Sequence, residues 1–387
     1  FANVLQAEAS DIRFKLDRAV GGGYRMGGVD VGEMNIDFSF PEGSPTVIAH
    51  ATLGWQMEGS TYRFAGAGGL EIVGSVSVDA AFLYGNDPSL EGGSYWLARA
   101  SMTFPAPIAF APTPLGLFGI GGGIAYRVPL DSLNPTKKIT DVRPSAGTGY
   151  LFSASVKVGT THDGGFTVFA DGTLTIDTRT GVRFDVSAWL LSRERGEPHA
   201  KGCIQYAGGS FDAGFGVKYN FAGDQIIVNA DPGSDPCKTA AVSLHFGSDG
   251  WHVWLGSEAN PIAVKVLVFN GRGHLMADAS GIRTGVTADF HLRYAGDIAG
   301  FGGFVEVGGS STVGLRLSLD PFTIGGNYGA TVNGRAGVRA FGSDFGIGIN
   351  AGVAVAVSLP PFSACGSIYV GIDLGVTSIG TDVSACI

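Results

Sequence analysis

The chain has 387 residues, of which 63 are glycine, 45% are hydrophobic and only 15% are charged, with a formal net charge of −9. So few charges on so apolar a chain exclude intrinsic disorder, and 25 Lys+Arg without a basic stripe leave nothing to neutralise a nucleic-acid backbone. Glycine without a strict period of three, interleaved with Val, Ile, Phe and Thr, excludes collagen and flexible linker and points to β-sheet.

The opening residues "FANVLQAEASDIRFKLDRAV" have no basic start and no apolar h-region, so an uncleaved signal peptide is not expected. The lack of an initiating Met suggests processing or excision from a longer chain. Alternation begins at once: Ile12, Phe14 and Leu16 fall on one side, Arg13, Lys15 and Asp17 on the other, the period of a half-buried strand. The same period returns in "NIDFSF", "GGLEIVGSVSVDAAFLYG" and "SYWLARASMTF".

Residues 100–126, "ASMTFPAPIAFAPTPLGLFGIGGGIAY", carry no charge. Pro105, Pro107, Pro112 and Pro114 break any spanning helix. The glycine run fails the dinucleotide fingerprint, because Ile124 stands where its third glycine belongs. An extended entry and a glycine-rich strand, packed closely at an interface with no ligand beside it, is the expectation.

Residues 128–149 hold the only Lys-Lys pair and three prolines. This connector suggests a boundary near residue 140, with an N-terminal β subdomain over 1–140 and a larger antiparallel β domain over 141–387. Beyond it, Phe166, Val168, Ala170, Leu174 and Ile176 alternate with Asp171, Thr173, Thr175 and Asp177. After a turn at Arg179 to Gly181, Val182, Phe184, Val186 and Ala188 alternate with Arg183, Asp185 and Ser187, which makes a hairpin with one dry and one wet face.

The four cysteines form two local pairs, Cys203 with Cys237 and Cys365 with Cys386, without zinc or redox spacing. Two disulfides in an oxidising compartment fit this count, with four buried free thiols as the alternative. Asp231 and Asp235 flank a Pro-Gly turn, and "YGNDPSLEGG" is a second acidic turn; Asx turns explain both without calcium.

A turn over Gly247 to Gly250 places His245 across from His252, near enough to share a divalent ion. No third ligand is visible, and a pair of surface histidines flanked by Trp251 and Trp254 is the simpler reading. No cofactor or metal is expected. The absence of a GxSxG elbow or any other nucleophile set gives no ground for enzyme activity.

Residues 266–294 repeat the order of the central hairpin: Phe169 matches Phe269, and the tetrapeptide RTGV recurs at Arg179 and Arg283, suggesting a degenerate duplication. The stretch from Trp251 to Ala277, "WHVWLGSEANPIAVKVLVFNGRGHLMA", resembles a segment of large secreted β-rich bacterial surface proteins, mostly of unassigned function. That resemblance implies an extracellular or cell-surface location and no site residues.

Near the C-terminus Phe345, Ile347, Ile349, Val353, Val355, Val357 and Leu359 form one row, and Gly346, Gly348, Gly352, Ala354 and Ala356 belong to the other. A face of such small residues lets a second sheet approach closely. The fold class expected is therefore an all-β, glycine-rich antiparallel meander of extended or curved sheets or a sandwich, with little or no helix. A closed β-barrel is the alternative. Against the barrel stand the absence of a terminal aromatic residue, no concentration of aromatics at both strand ends, and two local disulfides.

The function expected is a secreted structural subunit that self-associates into a filament through strand edges and the row Gly346, Gly348, Gly352, Ala354 and Ala356, its partners being copies of itself. The alternatives are an outer-membrane barrel that passes solutes, the only one with membrane contact, and a module that holds an apolar ligand between sheets.

Overall fold

The computed structural model describes residues 5–41, 43–58, 60–90, 93–134, 137–147, 149–192, 196–221, 225–298, 301–340, 343–374 and 377–387. These hold 23 strands, two 3-10 turns and one single-turn helix. The all-β antiparallel meander expected from a period of two and the lack of any helical apolar stripe is the fold observed. Contacts divide the chain into two compact units, Phe1–Pro198 with Gln205–Gly208, and His199–Ile204 with Gly209–Ile387. The connector 128–149 lies inside the first unit, and the segment repeated about a hundred residues apart is divided between the two.

The first unit is built from β1 (Leu5–Arg18), β2 (Tyr24–Phe40), β3 (Val47–Glu58), β4 (Thr61–Ile72), β5 (Val76–Asn86), β6 (Ser94–Ala109), β7 (Leu115–Tyr126), β8 (Tyr150–Thr160), β9 (Val168–Asp177) and β10 (Gly181–Leu190). Each pairs antiparallel with the next. Pro105 and Pro107, which cannot donate to a ladder, fall where the β6–β7 register shifts between Thr103 and Ile108.

The connector between β7 and β8 folds back over one face of this sheet as a strap with 3-10 turns at Leu130–Leu133 and Ile139–Asp141. Val128, Leu133, Ile139 and Val142 of the strap and Leu83, Tyr95, Leu97, Ala125 and Leu151 of the strands form the buried apolar cluster of this unit.

The second unit contains β11 (Ala200–Ala207), whose last residues count with the first unit, then β12 (Ser210–Phe221), β13 (Ile226–Ala230), β14 (Val242–Gly247), β15 (Gly250–Leu255), β16 (Ile262–Val266) and β17 (Phe269–Asp278). Here β12 pairs along one half with β13 and along the other with β14, and β17 likewise takes β15 and β16. The helical turn α1 (Pro236–Thr239) sits over Gly214, where a Cβ would stand 1.7 Å from the Pro236 carbonyl oxygen. Only glycine fits there.

A plain meander completes the unit: β18 (Gly281–Ile298), β19 (Phe301–Leu319), β20 (Phe322–Ala340), β21 (Ser343–Leu359), β22 (Ser363–Asp373) and β23 (Ser378–Cys386). Within their own units and among the described residues, β1 pairs only with β2 and β23 only with β22. Each is exposed at every residue.

Candidate functional site

Residues directly opposite in an antiparallel ladder share a face, so register sorts every side chain of β3 to β10. One row runs Leu53, Gly66, Phe82, Ala98, Ile124, Phe152, Ile176 and Val182. The next runs Ala51, Gly68, Ala80, Ala100, Gly122, Ala154, Leu174 and Phe184, and a third Ala49, Leu70, Val78, Met102, Ile120, Val156, Gly172 and Val186. No polar side chain interrupts these rows.

This face points outward. Phe82 and Phe152 are 41% and 39% exposed, while their chain neighbours Leu83 and Leu151, on the opposite face, are 1% and 0% exposed. The opposite face is polar along its middle, with an apolar patch of Phe169 and Trp189 apart from the cluster under the strap. Its central row reads His50, Gly69, Asp79, Ser101, Gly121, Ser155, Thr173 and Asp185. An antiparallel sheet with one wet face commonly packs its apolar face on a core; here the continuous apolar face is the outward one and the face with the polar central row carries the strap.

The apolar face has a sharp border. Trp55, Phe64, Tyr84, Trp96, Tyr126 and Tyr150 stand in direct succession across β3 to β8, one aromatic residue per strand. Several of the rings touch: Tyr126 and Tyr150 at 4.9 Å between centroids, Trp96 and Tyr150 at 6.4 Å. Sequence reasoning missed this row, since no single strand shows it. Knowledge of every turn length and register is needed to find it.

The polar face encloses a cavity of about 940 Å³ lined by the central row, the serine and threonine hydroxyls of β8 and β9, and strap residues Leu133, Lys137 and Ile139. Two strand arginines hold the strap by its backbone carbonyls. Arg63 Nη2 donates to the carbonyls of Ile139 (2.9 Å), Thr140 (2.6 Å) and Val142 (3.0 Å). Arg99 donates to those of Ser132 (2.6 Å), Asn134 and Lys137. The connector read as a domain boundary thus carries the apolar inner core.

The uncharged run 100–126 also finds its place here. Gly121 and Gly123 lie on the polar face, and a Cβ at Gly123 would come within 2.9 Å of Leu133 Cδ2. The glycines clear room for the chain's own strap and for the cavity.

The second unit shows the same division of faces. Along β18 to β22, Arg283, Asp289, His291, Arg293, Glu306, Arg316, Arg335, Arg339, Asp344 and Asp373 all fall on one face. Rows such as Val286, Val313, Tyr328 and Val355 make the other. Gly346, Gly348, Gly352, Ala354 and Ala356 lie on the charged face, opposite Gly337, Arg335, Thr331, Gly329 and Asn327.

Both cysteine pairs are bonded, Cys203 with Cys237 and Cys365 with Cys386. Asp235 stands with the first bond in the one group of metal-ligand types found among the described residues. Its sulfurs are bonded to each other, so that group is no metal centre. His245 and His252 are directly opposite, with rings stacked at 5.4 Å. His245 contacts Asp212 through Nδ1 (2.6 Å) and Asp249 through Nε2 (3.0 Å), so both ring nitrogens already face carboxylates.

The acidic turns behave as Asx turns: Asp231 accepts from the Gly233 amide and Asp87 from the Ser89 amide. Glu91, in the second of them, lies outside the described residues. Arg179 of the first RTGV sits in the β9–β10 turn and Arg283 of the second inside β18.

Protein-family models, curated proteins and solved structures offer no match to this chain.

Proposed function

We propose that the chain forms the wall of a membrane-embedded antiparallel β-sheet of the outer-membrane barrel class, with its apolar face to lipid and its polar face to an aqueous path for small solutes. The observation that carries this reading is the unbroken apolar face of β3 to β10, whose large side chains are all exposed or half-exposed and which is bordered by the row from Trp55 to Tyr150. Amphipathic rings settle at the boundary between hydrocarbon and headgroups.

The dimensions agree. From the aromatic border, residues 47–55, 64–72 and 76–84 run nine apiece to the far turns. From first to last, nine residues make eight steps of about 3.4 Å and cover about 27 Å, in line with the roughly 9–11 residues of a spanning strand and an apolar band about 25 Å tall. Among the described residues no helix is long and apolar enough to cross a membrane, a fact that bears on helices alone.

Flotation with lipid vesicles tests the reading. The protein is expected to rise with the vesicles, and its strands to resist protease there. A chain that stays monodisperse in buffer without detergent and does not float overturns it.

The one-sided terminal strands favour a second reading, the filament. Every residue of β1 and of β23 is exposed, and each strand offers an open row of backbone groups to another copy. Under that reading the row from Gly346 to Ala356 is a contact surface between copies. Filaments visible in micrographs of detergent-free protein support it, and monomers at high concentration sink it. Both readings place the chain at the cell surface or outside, a location with which two disulfides are compatible.

A further inference from the structure

A second cavity, about 600 Å³, opens on the polar face of the second unit over β17 to β20. Its floor exists because two residues have no side chain. Gly285 and Gly314 are directly opposite, and a Cβ at Gly285 would lie 2.7 Å from His274 Cε1, one at Gly314 2.3 Å from Asn327 Oδ1. His274 and Asn327 therefore lean over the two glycines from either side and form opposing walls of a pit.

Three arginines contribute to the remaining walls. At one end Arg283 and Arg316 are directly opposite on adjacent strands; at the other, Arg272 faces Thr287. Like charges opposed across a ladder repel. Arg283 is compensated, donating to Asp278 Oδ2 at 2.9 Å. Among the described residues neither Arg316 nor Arg272 has an ion-pair or hydrogen-bond partner. Glu258 is the one carboxylate on the lining.

We infer that this pit binds a small oxyanion, such as inorganic phosphate or the phosphate of a monoester. Guanidinium groups present forked donors that match phosphate oxygens, and a tetrahedral anion held by Arg316 removes the repulsion between Arg316 and Arg283, with Arg272 at the far end adding positive charge to the same cavity. The inference does not depend on what covers the apolar face.

Calorimetry and thermal unfolding with inorganic phosphate test it on the full chain. Wild type is expected to give saturable heat at one anion per chain and a melting temperature that climbs with phosphate, as ligand linkage requires. Arg316→Gln is expected to melt higher than wild type without phosphate, because the like-charge pair is gone, and to bind phosphate at least tenfold more weakly. Gly314→Ala, whose Cβ pushes the Asn327 side chain into the cavity while keeping every charge, is also expected to weaken binding at least tenfold.

No saturable heat in wild type overturns the assignment. So does binding that all three proteins share, which marks diffuse attraction to surface cations. Phosphate titrations repeated with phosphatidic acid vesicles and with phosphatidylcholine vesicles separate a free anion from a lipid headgroup: competition by phosphatidic acid alone assigns the pit to the headgroup and overturns a free solute.

Discussion

Tyr84 and Trp96 stand directly opposite each other on β5 and β6, and both belong to the face on which Phe82 is exposed rather than the one on which Leu83 is buried. Under the proposed membrane reading, two large amphipathic rings side by side on an outward face mark the boundary between hydrocarbon and headgroups. The row they share, continued by Trp55 and Phe64 on one side and Tyr126 and Tyr150 on the other, makes that boundary a line across six strands.

The environment of the apolar face can be read from adjacent residues. Ala154 lies in the middle of that face and Ser155 next to it on the polar face. If lipid covers the former, Ala154→Arg costs about 2 to 4 kcal/mol in denaturant titrations of the vesicle-inserted protein, while Ser155→Arg costs far less. Near-equal, small effects for the two are what a solvated face predicts, and they would remove the membrane reading.

The alternation that defines these faces was plain in the sequence, since Ile176 and Thr175, or Phe184 and Asp185, cannot share a side. Which side faces outward was not. A period of two says that one face is apolar and is silent on whether protein or lipid covers it.

The aromatic border was equally hidden. Its members fall at irregular intervals from Trp55 to Tyr150, because the intervals are set by turns as different as the one after Glu58 and the long strap after Tyr126. The cysteine pairs were legible because both lie close in sequence. The pit over Gly285 and Gly314 was not, since its arginines come from three strands brought together by register.

Strap retention depends on Arg99. Its guanidinium serves three backbone carbonyls, and Arg99→Ala leaves all three with their donor missing. Hydrogen bonds to charged groups contribute about 1.5 to 3 kcal/mol, so a loss of about 3 kcal/mol is expected. Lys137 and Lys138 lie in the strap, and limited trypsin digestion should cut there faster in the variant. An unchanged cleavage rate means that the apolar contacts of Leu133 and Ile139 suffice.

Acid sensitivity has a local source in the β8–β9 turn. Burial alone would raise the Asp163 carboxyl, but hydrogen bonds from the Thr160 and Thr167 hydroxyls and the Thr167 amide outweigh it and hold the group far below the usual carboxylate range. A depressed folded pKa stabilises the fold above the unfolded value, about 3.9 for Asp, and that contribution disappears as the pH falls toward the folded value. Asp163→Asn should therefore melt below wild type at pH 7, with the gap narrowing steadily as the pH falls below about 4. A gap that is constant with pH assigns the loss to packing in the turn.

The last strand rests on one clip. Cys365 and Cys386 are directly opposite at the end of the β22–β23 hairpin farthest from its turn, and among the described residues of its own unit β23 is otherwise held by its ladder to β22. Closing a loop of this size is worth about 3 kcal/mol in the chain-entropy estimate, a factor of roughly a hundred in a local opening equilibrium. Cys386→Ser should then speed hydrogen exchange of the β23 amides by about that factor and leave β17 to β19 unchanged. Replacing Cys237 instead should spare β23 and loosen the α1 turn, because that bond ties α1 to β11. If β23 exchanges alike in both variants and in wild type, its ladder alone holds the edge, and the clip serves the folding of the hairpin rather than its stability.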